Sequence, residues 1–208
     1  MRSWLPACVV LTAALALASG ARSQEVAATE QTKAAFHEVE HGGYAGGEVG
    51  VLFLRAPGAG AGLASGSVVG VSLGYDFAPW IGVGFFGLAI DAVAPAGYGG
   101  LGNSGVTGDF SAILPGLEAR VHLPLADDRN GVDRLFLNLG AGGGVMFFQP
   151  RALFPGGHSA AGKIDVGLEY FTRLRHLSLG LALEGLAAIP RGGTLAGGSL
   201  SPFVRYSF

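Results

Sequence analysis

From Gly43 to the end of the chain, apolar side chains recur at every second position rather than every third or fourth. In Ile164–Arg173 the residues Ile164, Val166, Leu168, Tyr170 and Thr172 alternate with Asp165, Gly167, Glu169, Phe171 and Arg173. A β-strand sends successive side chains to opposite faces, so this segment has one apolar face and one carrying charge and glycine. The same reading covers Leu177–Leu186, Leu117–Leu125, Leu135–Phe147 and Val69–Phe77. It is weaker in Tyr44–Leu54 and Gly198–Phe208, and in Ile81–Ile90 the alternation fades after Phe85. The pattern predicts eight strands of about ten residues each, the length a tilted strand needs to cross a bilayer.

The connections alternate too. Ala56–Gly66, Ala92–Thr107, Gln149–Gly162 and Pro190–Gly197 are long and rich in Gly, Pro and Ala. Ala78-Pro79-Trp80 and Leu174-Arg175-His176 are tight, and Asp127–Arg134 is a charged turn with Asn130-Gly131 at its tip. Long loops at one end and short turns at the other predict an all-β, eight-stranded, antiparallel up-and-down transmembrane barrel, with the turns and both barrel termini on the periplasmic side.

Composition narrows the alternatives. Charged residues are 13% of the 208, while glycine accounts for 37 positions. With 13 basic and 15 acidic residues the formal charge is −2, which excludes a nucleic-acid binder working through bulk positive charge. The single cysteine excludes a disulfide framework and a thiolate metal cluster. In a lipocalin-like soluble barrel the apolar face would point inward and the other face would meet water. That other face is mostly Gly, Ala and Ser with about one charge per strand, which suits a packed lumen better than a solvated surface. Tyr75, Phe77, Trp80, Phe147, Tyr170 and Tyr206 near strand ends fit an aromatic girdle at a lipid interface.

The first residues have another texture. Arg2, the apolar run Leu5–Ala18 and the small residues Ser19, Gly20, Ala21 and Ser23 read as a signal peptide over 1–23. Residues 24–42 are a charged periplasmic leader, and 43–208 form the barrel. After residue 24 no apolar run is long enough for a transmembrane helix, which leaves a closed barrel as the way to satisfy backbone groups in lipid.

The end of the chain, Leu200-x-Pro202-x-Val204-x-Tyr206-x-Phe208, resembles the terminal signature of bacterial outer-membrane proteins. Gly74-Tyr75-Asp76-Phe77-Ala78-Pro79-Trp80-Ile81-Gly82-Val83-Gly84 is similar to the second hairpin of small OmpA-like and OmpX-like barrels. The resemblance implies an outer-membrane location in a Gram-negative bacterium and contact with outer-membrane lipid and lipopolysaccharide. It also implies recognition of Leu200, Val204, Tyr206 and Phe208 by the barrel-insertion machinery. Pro202 departs from the bulky residue usual there, and no appended peptidoglycan-binding domain is expected.

The predicted lumen set is Glu48, Asp76, Glu118, Arg120, His122, Asp165, Glu169, Arg173, Glu184 and Arg205. Unpaired charges in a narrow lumen are costly, so a salt-bridge and hydrogen-bond plug is expected, with a gated ion path as the alternative. His176-x-Ser178 with Glu184 loosely resembles the constellation of lipid A deacylases. On the derived topology, however, His176 lies in a turn and Glu184 lies about 20 Å along the strand from Ser178. His37 and His41 lack the order of a helical metal motif. No enzyme, cofactor or metal is expected. The expected role is structural or interactive: envelope integrity, adhesion, or anchoring an envelope-spanning machine such as a motility or secretion complex, with envelope proteins as partners. A narrow porin-like channel is the alternative, and a lipid A-modifying enzyme a more remote one.

Overall fold

The structure, a computed structural model, describes residues 42–56, 62–101, 107–174 and 176–208. The predicted signal peptide and nearly all of the predicted leader, including His37 and His41, lie outside the described residues. Eight strands follow one another: β1 (Gly43–Arg55), β2 (Ala64–Ala78), β3 (Ile81–Val93), β4 (Phe110–Asp127), β5 (Asp133–Gln149), β6 (His158–Phe171), β7 (Leu177–Ala188) and β8 (Leu195–Ser207). Each pairs antiparallel with its neighbours, and β8 closes on β1 to make a barrel in strand order one to eight.

Closure brings Tyr44 opposite Ser207, so the first and last strands begin and finish at the same end. That end also carries the Pro79-Trp80 turn, the 128–132 turn and the 172–176 turn. We call it the turn end and the other the loop end. Gly131 at the tip of the 128–132 turn has φ 75°, the left-handed region that glycine enters at no steric cost.

The strands are longer than the alternation alone marks, mainly at the loop end, so the connections are shorter than expected. The loop between β5 and β6 is reduced to residues 150–157. It folds inward as successive turns, Leu153 N–H donating to the Pro150 carbonyl at 3.1 Å and Gly157 N–H to that of Phe154 at 2.8 Å.

The apolar face points outward, as the alternation predicts. Val69, Val71, Leu73, Tyr75 and Phe77 on β2 are exposed, as are Ile164, Val166, Leu168 and Tyr170 on β6. Among the described residues, the outward-facing charges of the strands are Arg55, Asp91, Asp127 and Asp133, all at or near strand ends. An uncharged apolar girdle between charged rims is the surface of a barrel that sits in lipid, and the inverse of a lipocalin. Tyr75, Phe77, Trp80, Tyr170 and Tyr206 gather toward the turn end, while Phe147 stands near the loop end.

β3 corrects one expectation. Its alternation does not fade after Phe85: Phe86, Leu88 and Ile90 are buried inside while Phe85 and Val93 are exposed outside. Both faces are apolar here, which hides a period of two in the sequence.

Candidate functional site

Inward positions sort by height. From the turn end, β1 presents Tyr44, Gly46, Glu48, Gly50, Leu52 and Leu54, and β6 presents Phe171, Glu169, Gly167, Asp165, Lys163 and Ala161. The lumen is therefore layered, with charge in the turn-side half and apolar side chains in the loop-side half.

The layer nearer the turns is organised by Arg205 on β8. Its Nη2 bonds the Asp76 carboxylate, its Nη1 lies 3.7 Å from Glu169 Oε2, and its guanidinium sits 3.8 Å over the Tyr44 ring. His122 stands between the two carboxylates, with Nε2 3.5 Å from Asp76 Oδ1 and Nδ1 3.9 Å from Glu169 Oε2. Its Nδ1 also lies 2.8 Å from Asn138 Oδ1, while the Asn138 amide donates to Glu169 Oε2 at 2.6 Å. Ser178 Oγ donates to the other oxygen of Glu169. Glu169 is fully buried, and a buried carboxylate without hydrogen-bond partners would be costly, so both of its oxygens are occupied by donors. Phe136 and Phe171 meet edge to face at 5.3 Å on the turn side of the layer.

The second layer is centred on Lys163. Its Nζ lies 2.7 Å from Glu118 Oε2, 3.6 Å from Glu184 Oε1 and 3.7 Å from Asp165 Oδ1, with the Phe86 ring centroid at 4.5 Å. Arg120 Nη2 holds the other Glu118 oxygen at 3.0 Å, and Ser199 Oγ donates to Glu184 Oε2 at 3.0 Å. A cavity of about 30 Å³ remains between the layers, lined in part by Glu48, Arg120, Asn138 and Asp165. It has room for one or two waters.

Above the charges the lumen is apolar. Leu52, Leu54, Val68, Leu88, Leu114 and Met146 are buried there, and two loops reach down to complete the seal. Phe154 stacks on Phe148 at 4.2 Å and meets Phe110 edge-on at 5.1 Å. Tyr98 packs against Phe110 at 6.1 Å, and burial pushes its phenol above the ordinary range. The loops are tied together by the Leu101 N–H donating to the Leu153 carbonyl at 2.8 Å. Gly100, at φ 67°, lets that approach happen, since a Cβ there would collide with Leu153 backbone.

Nine of the ten predicted lumen residues face the lumen: Glu48, Asp76, Glu118, Arg120, His122, Asp165, Glu169, Glu184 and Arg205. Arg173 does not. β6 ends at Phe171, the Thr172 N–H donates to the Leu177 carbonyl at 3.0 Å, and Arg173 is exposed in the resulting turn. Strand parity has no meaning past the last paired residue. Lys163, Tyr44, Asn138, Ser178 and Ser199 are network members outside the predicted set. Lys163 shares parity with Asp165 and Glu169 and lies one residue before Ile164, where the predicted strand begins, so the same alternation reaches it.

The deacylase-like constellation is not assembled. Ser178 Oγ is turned to Glu169, His176 Nδ1 lies 3.0 Å from the Ser207 carbonyl, and Glu184 is bound by Lys163 and Ser199. Among the described residues no group of three or more His, Cys, Asp or Glu is arranged to hold a metal ion.

A closed eight-stranded antiparallel barrel with an apolar outer girdle and a packed, charged lumen is a specific architecture. The crystal structure of Neisserial surface protein A (NspA) is similar to it, with a TM-score of 0.59 and 16% identity over 80% of this chain and 97% of that one. The chain has the fold of the small eight-stranded outer-membrane barrels. Other solved barrels of this kind that are similar include the outer membrane protein OprG from Pseudomonas aeruginosa, with a TM-score of 0.47 and 14% identity over 81% of this chain and 97% of that one. Another is Ail, the attachment invasion locus protein of Yersinia pestis, with a TM-score of 0.41 and 15% identity over 80% of this chain and all of that one. No family model matches the chain, and no curated protein matches its sequence. At these identities the likeness concerns the small-barrel fold.

Proposed function

We propose that this chain is an outer-membrane barrel whose role is structural or interactive, presenting its loop end to partners, and that it neither conducts nor catalyses. The observation that carries this reading is the double filling of the lumen: the Arg205 and Lys163 networks below and the Phe154-capped apolar seal above. A cavity of about 30 Å³ is no path for a hydrated ion. Eight-stranded barrels have an interior that side chains can fill, and here they do.

The fold of NspA, the girdle and its turn-end aromatics support placement in an outer membrane with the turns in the periplasm. Leu200, Val204, Tyr206 and Phe208 all face outward on or just beyond β8, a pattern the insertion machinery would meet as an apolar edge. At the loop end Leu63, Val93 and Ile189 are exposed apolar side chains around the rim, where an envelope or surface partner would bind. The test is a planar-bilayer recording of the refolded protein, paired with heat-modifiable gel mobility to establish that the barrel has formed. The expected record has a mobility shift and no unitary conductance. Reproducible conductance steps from heat-modifiable protein would replace this reading with the channel.

A further inference from the structure

The wall of the barrel is uneven. Between β1 and β8 the pairing runs from Tyr44↔Ser207 to Glu48↔Phe203 and resumes at Val51↔Leu200. Val49 and Gly50 stand opposite Pro202 and Ser201 without pairing. Pro202 brings no N–H to the ladder. On the outer side of this gap lies a groove of about 410 Å³, whose walls include Val49, Leu179, Pro202 and Val204 and whose floor includes Gly47. A Cβ on Gly47 would meet only the Gly70 carbonyl, at 3.8 Å, so the groove there is open space above a bare backbone.

The groove has a mainly apolar lining, with Glu48 the one charged residue of its lining, and it lies inside the uncharged girdle, toward its turn-end half. Within the groove wall Leu179 pairs with Val204, and just below it Leu177 pairs with Tyr206, where β7 emerges from the turn that follows β6. His176 stacks on Tyr206 there, with centroids 5.3 Å apart. Arg173 in the same turn is exposed and carries no ion pair among the described residues. His176 and Leu179 are three residues apart, roughly 10 Å along the strand. Arg173 shares that turn, where the Thr172 N–H donates to the Leu177 carbonyl at 3.0 Å, and an apolar slot with an exposed cation in the turn beneath it matches a molecule with an alkyl chain and an anionic head.

We propose that this groove seats one acyl chain of an anionic phospholipid whose phosphate rests on Arg173. The proposal rests on the membrane-spanning reading, and it selects a phospholipid because the site opens at the turn end, away from the loop-end leaflet where lipopolysaccharide would lie. The ligand fills the notch left by Gly47 and Pro202 and covers the stretch where the β1–β8 ladder is interrupted.

The experiment is native mass spectrometry of the full chain in mild detergent, titrated with palmitoyl-oleoyl phosphatidylglycerol, phosphatidylcholine or lipopolysaccharide. Gly47→Leu fills the slot from within. Gly143→Leu is the control, since Gly143 faces lipid on β5, across the barrel, and a Cβ there meets only the Ala161 carbonyl, at 3.5 Å. The expected result is one phosphatidylglycerol retained by the wild type and by Gly143→Leu, and at least tenfold weaker retention by Gly47→Leu. Arg173→Gln is expected to erase the preference for phosphatidylglycerol over phosphatidylcholine while leaving some binding. Equal retention by Gly47→Leu and wild type overturns the proposal. So does equal weakening by Gly143→Leu, or retention of lipopolysaccharide alone. Heat-modifiable mobility of each variant reports the barrel separately, so loss of that shift in the wild type would refute the membrane reading instead.

Discussion

Arg205 on β8 reaches past β1 to bond Asp76 on β2, joining residues 129 apart in sequence across the seam where the barrel closes. Tyr44 on β1 lies under the guanidinium, so the three strands at the closure share one interaction. Truncating one partner of a buried pair leaves the other charged and dry, which costs about 3–5 kcal/mol. Arg205→Met is therefore expected to destabilise the barrel by about that amount in urea unfolding from lipid vesicles. Adding Asp76→Asn to that variant should recover a substantial part of the loss, since one stranded charge is then gone. A double variant no more stable than Arg205→Met would show that Asp76 is held by other groups.

The apolar seal makes a different prediction. Phe154 is fully buried between Phe148 and Phe110, and its removal leaves a cavity that the rigid strands cannot close. Phe154→Ala is expected to cost about 3–5 kcal/mol. It should still show no unitary conductance, because the Lys163 network below stays in place. Conductance from this single substitution would mean that the charged layer is no barrier and that the apolar seal alone keeps the lumen shut.

These two layers were not equally legible in the sequence. Parity places Asp76, Glu169 and Arg205 on one face, and they meet in the lumen because a closed barrel leaves inward side chains nowhere else to go; Glu118, of the same parity, meets Arg120 and Lys163 in the second layer. Lys163 needed only one more residue of the same alternation. The seal was hidden for a physical reason: where lumen and lipid are both apolar, as along Phe85–Ile90, the period of two disappears from a hydropathy pattern. Arg173 differs in the opposite way, because it lies past Phe171, the last residue of β6, where alternation no longer fixes a side chain's face. The contributions of Leu153 and Phe154 could not be read at all, since a loop that folds back into its own barrel has no local mark in the sequence.

The turn between β4 and β5 depends on one carboxylate. Asp128 Oδ1 accepts from the Asn130 N–H at 2.7 Å and the Val132 N–H at 3.2 Å, and Oδ2 accepts from Arg134 Nε at 3.2 Å. The Asn130 backbone bond, with these others, holds the Asp128 carboxyl below the ordinary aspartate range. A depressed pKa contributes stability that is complete above the unfolded value and is lost as pH falls through the folded one. The turn should thus be closed at neutral pH and open progressively in acid, starting below the usual aspartate pKa. Hydrogen exchange at the Asn130 and Val132 amides would report this, with protection in Asp128→Ala at neutral pH as low as in acid-treated wild type. Unchanged protection in that variant would assign the turn to Gly131 and the ladder alone.

The direction of the two faces is the assignment on which the rest depends, and one pair of substitutions tests it in energy. Leu181 is half exposed in the middle of β7, and Ile189 is exposed just beyond the loop end of the same strand. In water an arginine at either position would change little, because both side chains already face solvent. In a bilayer the cost depends on depth, about 2–4 kcal/mol for arginine at the midplane and about 0–1 kcal/mol at the interface. Leu181→Arg should therefore destabilise the vesicle-embedded protein by roughly 2–4 kcal/mol and Ile189→Arg by less than about 1 kcal/mol. Two small and equal costs would mean that the outer face meets water, and the apolar girdle would then need a protein partner to cover it.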